Sequence, residues 1–246
     1  MAEFDRRFAT SQNRTDAGVA DYDAGLRAFM LSVYNYMAVG VALTGAAAYG
    51  LYTYAMSSEA VFNAVFRGPM SLVLTLAPLG YGLYLIFRMN SMSTAGARNG
   101  FFIYAALVGL MLSTIFVMYS HQSIARVFFI SSGMFAATSL YGYTTKRDLT
   151  GMGSFLMMGL FGLIIAMVVN MFFPSGPMQF AISVIGVLIY TGLAAYDTQK
   201  LKDVYLAHAG DEATLGHSAV RGALSLYLDF INLFLFMLRL MGDRRS

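Results

Sequence analysis

Cysteine is absent from this chain of 246 residues, which excludes disulfides, thiolate metal sites and thiol redox chemistry. Charge is scarce. Asp, Glu, Lys and Arg make up 12% of the residues, against roughly 25% in a soluble domain. Lysine is confined to Lys146, Lys200 and Lys202, in loops or at span ends, so a seven-helix retinal protein would lack its Schiff-base lysine. His121, His208 and His217 all fall in connectors, which disfavours a haem held by intramembrane histidines. Neither Gly-x-Ser-x-Gly nor His-Glu-x-x-His occurs, so an intramembrane hydrolase has no visible nucleophile or zinc site. No enzymatic role and no resident cofactor are expected.

What is present is apolar. Hydrophobic residues account for 58% of the chain and the mean hydropathy is +0.61. Stretches of about 20 apolar residues recur, each long enough to cross a hydrocarbon core about 30 Å thick. Only helices and closed barrels satisfy their backbone in lipid, and continuous apolar runs rather than ten-residue alternation select helices. The expected fold is therefore all-α and integral to the membrane, with seven transmembrane helices. Their expected bounds are about Ala28–Tyr54, Pro69–Phe87, Asn99–Tyr119, Ser123–Tyr143, Met152–Phe173, Pro177–Lys200 and Val220–Leu240. Residues 1–27 read as a polar, cytosolic N-terminal tail without the apolar core of a signal peptide. Residues 28–240 read as the membrane domain and 241–246 as a short C-terminal tail.

Net charge is +3, but the positive residues sit in short connectors, where they report topology rather than nucleic-acid binding. Placing the N-terminus in the cytosol puts eleven Lys and Arg inside and five outside, which favours that orientation. Arg239, Arg244 and Arg245 run against it and leave a tilted, re-entrant or cytosolic last segment open. Glycines and the 18 methionines within the spans read as packing residues.

Intramembrane acids carry the functional signal. An Asp near a bilayer centre costs about 3 kcal/mol on insertion scales and usually faces a protein interior or a water cavity. Asp229 lies within Leu226–Phe234, eight residues past Arg221 and so roughly 12 Å below the surface. Asn232 follows three residues later, on the same helix face. Asp197 sits near the inner end of the sixth span. A structural carboxylate bonded to neighbouring helices is the competing reading of Asp229, and an interfacial carboxylate that of Asp197. A depth count leaves the two acids one or two turns apart.

If they met, two like charges about 4 Å apart would repel by about 4 kcal/mol at an effective dielectric of about 20. The pair would then hold one proton in common and titrate as a unit, a pH sensor. Fully ionised, it could take a hard cation. Calcium seeks six to eight oxygens, so two carboxylates with the Asn232 amide would bind it weakly and transiently. Arg88, ending the second span, reads either as a snorkelling interfacial residue or as a counter-charge that latches the aspartates.

The segments Ala195-Tyr196-Asp197-Thr198-Gln199-Lys200-Leu201 and Ser225-Leu226-Tyr227-Leu228-Asp229-Phe230-Ile231-Asn232-Leu233-Phe234 resemble those of the Bax-inhibitor family, the transmembrane Bax inhibitor motif proteins. So does the loop Tyr141–Leu149 followed by Gly153. The resemblance covers about Ala28 to Leu240. It implies six helices surrounding a central seventh, and a pH-sensitive calcium leak gated by an aspartate pair, here Asp197 and Asp229, with Arg88 as latch. The short chain is similar to the bacterial members, which implies an inner membrane. Two alternatives stand beside the channel: a modulator of a membrane quality-control protease, which would be its partner, and a proton-coupled small-solute transporter.

Overall fold

A computed structural model describes the backbone of residues 2–245 and the side chains of residues 23–245. Seven helices are long and apolar enough to cross a membrane: α1 (Asp23–Ala55), α2 (Met70–Ser91), α3 (Thr94–Met118), α4 (His121–Thr144), α5 (Thr150–Phe172), α6 (Gly176–Ala207) and α7 (Glu212–Met241). Most of the side chains of the polar tail expected over 1–27, those up to residue 22, lie outside the described residues. Large apolar side chains such as Leu72, Ile86, Phe129 and Phe155 point outward, as they must when the surrounding solvent is lipid.

Every apolar run foreseen in the sequence is a helix, but α6 and α7 are longer than their runs. α6 continues past Lys200 to Ala207, and α7 begins at Glu212 rather than near Val220. The extra turns mix polar and apolar residues, so a search for continuous hydrophobicity stops short of them. Asp197 is consequently an interior residue of α6 rather than a helix end.

α7 is the most buried of the seven helices. It packs on α6, α1, α4 and α3, whereas α2 lies against α3 and α5 against α6. A buried polar node ties α1, α3 and α7 together: the Tyr227 and Thr44 hydroxyls lie 2.7 Å apart, and the Thr44 Oγ1 is 2.9 Å from the Ala105 carbonyl. Two glycines let backbones meet. A Cβ on Gly109 would lie 2.8 Å from the Ala47 Cβ, and a Cβ on Gly142 would run into the Ala195 backbone. The first close approach joins α3 to α1 and the second α4 to α6.

The C-terminal arginines, which opposed the charge rule, have a definite place. α7 is continuous to Met241 and is not re-entrant. Beyond it the chain turns onto the α3–α4 connector: Tyr119 bridges Arg244, the Asp243 N–H donates to Ser123 Oγ (2.8 Å), and Arg126 pairs with Asp243 (2.8 Å). Arg245 reaches Tyr52 at the end of α1 (3.3 Å). The tail therefore sits at the end of the bundle opposite the start of α1.

Candidate functional site: an acidic seam between α6 and α7

A turn of four residues, from His208 to Asp211, separates α6 from α7, so the two must run antiparallel and adjacent. Gly210 takes a positive φ of 97°, which a residue without Cβ adopts freely. Asp211 then caps α7, accepting from the Thr214 N–H (3.1 Å) and the Thr214 hydroxyl (2.5 Å). Those bonds, the side-chain one first, hold its carboxyl below the usual carboxylate range.

Small residues on α6 and α7 set the register of the seam. Gly222 lies under Leu201 and Gly186 under Phe236. Between these points Ser225 donates its hydroxyl hydrogen to Asp197 Oδ2. On this register Asp229, one turn further along α7, falls level with Leu193, between Asp197 on one side and Tyr190 on the other. The aspartates are thus about one turn apart along an unbroken pair of helices.

Their surroundings differ. Asp197 is half-buried and lines a cavity of about 200 Å³ with Ser225, Lys200, Arg221 and Ser218. Asp229 is 5% exposed, and its Oδ2 has no hydrogen-bond partner among the described residues. A carboxyl oxygen so placed is costly unless a proton, a cation or a moving donor reaches it. Further along the seam Phe236 stacks on Tyr190, with ring centres 5.8 Å apart, and apolar packing closes over it.

Two other residues singled out in the sequence have the following surroundings. Asn232 donates to the Leu228 carbonyl of its own helix (2.8 Å). Arg88 is exposed at the end of α2, a helix that packs on α3, and the ion pair among the described residues is Arg126–Asp243. The cations that do stand by Asp197 are Lys200 and Arg221. Ser225 was legible in principle, since it precedes Asp229 by four residues and shares its helix face. Nothing local in the sequence marks Lys200, Arg221 or Tyr190.

Among the described residues no three His, Cys, Asp or Glu side chains converge. Two carboxylates fall well short of the six to eight oxygens calcium takes.

The fold and seam define a class: seven-helix membrane proteins with paired acids beside a buried last helix. Residues 26–246 match the family described as inhibitor of apoptosis-promoting Bax1, and the chain belongs to that family. It is 46% identical to the uncharacterized protein RP147 of Rickettsia prowazekii, covering 96% of each chain. It is 44% identical to the inner membrane protein YbhL of Escherichia coli K12, covering 90% of this chain and 94% of that one. An uncharacterized protein of Caulobacter vibrioides is 42% identical over the full length of both.

Proposed function

We propose that this protein is a pH-sensitive calcium leak channel of a bacterial inner membrane, gated by Asp197 and Asp229. The observation that carries this reading is the buried Asp229 Oδ2 without a hydrogen-bond partner, one helical turn beyond a carboxylate that opens onto a polar cavity. A cation arriving at Asp197 has a second anionic ligand about 6 Å deeper, in surroundings where hydration is poor and charge is felt strongly. Protons compete for the same oxygens, so the charge of the pair, and with it cation occupancy, follows pH. Lys200 and Arg221 at the mouth set the repulsion an incoming cation must overcome.

Beyond Asp229 the seam is closed by Phe236 on Tyr190; conduction requires α7 to shift against α6 there. The inner-membrane placement rests on the similarity to YbhL, with the N-terminus cytosolic by the charge rule.

The test is calcium flux through purified protein in dye-loaded liposomes between pH 6 and 8. Wild type leaks with a pH dependence that Asp229→Asn removes. A leak of unchanged rate and pH response in that variant would refute the role of the pair. No leak at all from folded wild-type protein would turn attention to the modulation of a membrane protease.

A further inference from the structure

α1 and α4 both pack on α7 and meet each other at one end, where the Tyr52 and His121 rings lie 5.5 Å apart. The gap between them is a groove of about 880 Å³, open to the side of the bundle. That volume lies within the range of about 300 to 1,000 Å³ typical of ligand sites. Its walls are Tyr34 and other apolar residues of α1 and Phe128 and Phe135 of α4, and its floor is Phe230 of α7. It follows α1 from Arg27 to Gly45, a length of about 27 Å, most of the roughly 30 Å hydrocarbon core.

Apart from Tyr34 and from Ser132, whose hydroxyl returns to the Phe128 carbonyl of its own helix, the polar lining residues gather toward one end. Arg27 is exposed at the mouth and is in no ion pair among the described residues. Across from it Tyr143 lines the groove while its carbonyl accepts from the Lys202 ammonium (2.5 Å), which also lies 5.5 Å from the Tyr143 ring centre. One turn deeper, Ser139 is 3% exposed, and its Oγ has no hydrogen-bond partner among the described residues. On the same helix Ser132, Thr138 and Thr144 donate back to their own helix's carbonyls, whereas Ser131, which does not line the groove, is likewise without a partner among the described residues. The Ser139 hydroxyl is buried behind the groove wall, out of reach of the groove itself.

We propose that this groove is a binding site for one anionic phospholipid drawn from the surrounding bilayer. An acyl chain fills the apolar length over Phe230. The phosphate meets Arg27, with Lys202 adding positive charge behind Tyr143. Charge complementarity selects the headgroup, and the lateral opening lets the lipid enter without leaving the membrane. A bound chain would wedge α1 against α4 and steady α7 behind them, independently of any role of the aspartates.

Native mass spectrometry tests this on the full-length protein, released from nanodiscs of equal phosphatidylglycerol and phosphatidylcholine. One phosphatidylglycerol is expected to be retained about tenfold over phosphatidylcholine, as for a single charge-assisted contact. Arg27→Gln should abolish that preference, whereas Arg98→Gln, at the start of α3 and away from the groove, should keep it. Ala136→Phe, an exposed position on the groove wall, should expel both, with thermal unfolding confirming that the variant is folded. Should Ala136→Phe not fold, the Arg27→Gln comparison decides alone. Equal retention of the two lipids by wild type would overturn the proposal. So would a dimer that Ala136→Phe converts to monomer while the lipid count stays the same, which would make the groove an interface between copies.

Discussion

Ser225 gives its hydroxyl hydrogen to Asp197 across the α6–α7 seam while sitting one turn from Asp229 on its own helix. One small side chain thereby sets the height of one acid relative to the other. The geometry of the pair follows from this bond and from the glycines on either side of it.

Replacing Ser225 with Ala removes that bond. Hydrogen bonds to charged acceptors contribute about 1.5 to 3 kcal/mol, but water in the adjoining cavity can take the place of the hydroxyl. The expected loss is about 1 kcal/mol, seen as a drop in Tm of a few degrees in detergent, and Ser225→Thr should restore it. In liposomes the Ala variant should show altered calcium flux while the Thr variant matches wild type.

The Thr44–Tyr227 node should act as a unit. Tyr227→Phe leaves the Thr44 hydroxyl with its carbonyl partners and should cost about 1 kcal/mol. Thr44→Val strands the Tyr227 hydroxyl in a buried site, and should cost about 1 to 3 kcal/mol. The double variant should lose less than the sum of the singles. Strict additivity in thermal unfolding would show that the three helices do not meet through this bond.

Gly142 and Gly133 lie on the same helix but should respond oppositely to alanine. A Cβ at Gly142 meets the Ala195 backbone, which cannot give way, whereas one at Gly133 meets open space. Gly142→Ala should destabilise by about 1 to 3 kcal/mol and disturb Asp197, two residues along from Ala195. Gly133→Ala should be neutral or stabilising by about 0.5 to 1 kcal/mol, the ordinary helical preference. Paired denaturation curves decide the matter.

Asp211, outside the membrane, gives a signed pH effect. Its folded carboxyl is held below the usual range by Thr214, so it strengthens the start of α7 at pH values above the unfolded carboxylate range. That contribution is lost as pH falls through the lower folded value. Hydrogen exchange at the Thr214 amide should be slow at neutral pH and quicken only in acid, at a pH below that of an ordinary aspartate. Asp211→Ala should exchange quickly throughout, and an amide whose protection ignores both changes would mean the cap does not hold α7.

Asp229 was legible because an acid inside an apolar run is conspicuous whatever surrounds it. Asp197 was legible as a residue but not as an interior one, since the polar last turns of α6 hid the helix's true length. The spacing of the two could be bounded to one or two turns and no better. Arg88 illustrates the opposite case: its position at the end of a span left a snorkelling interfacial residue and a latch both open, and in the structure it is exposed on a helix that packs on α3. The groove between α1 and α4 left no trace in the sequence, because the same apolar residues would serve equally to face lipid or to pack on a helix.

Composition alone determined that seven helices cross a membrane and that cysteine chemistry plays no part, because in hydrocarbon a backbone must satisfy its own hydrogen bonds and an apolar run of that length has one way to do so. The motif around Asp229 was enough to indicate the family. Only the tertiary structure decided which polar residues meet. Helix association in lipid turns on close packing at small residues rather than on hydrophobicity, so the register that sets Ser225 against Asp197 and leaves Asp229 Oδ2 without a partner depends on contacts of Gly186 and Gly222 that no local pattern encodes.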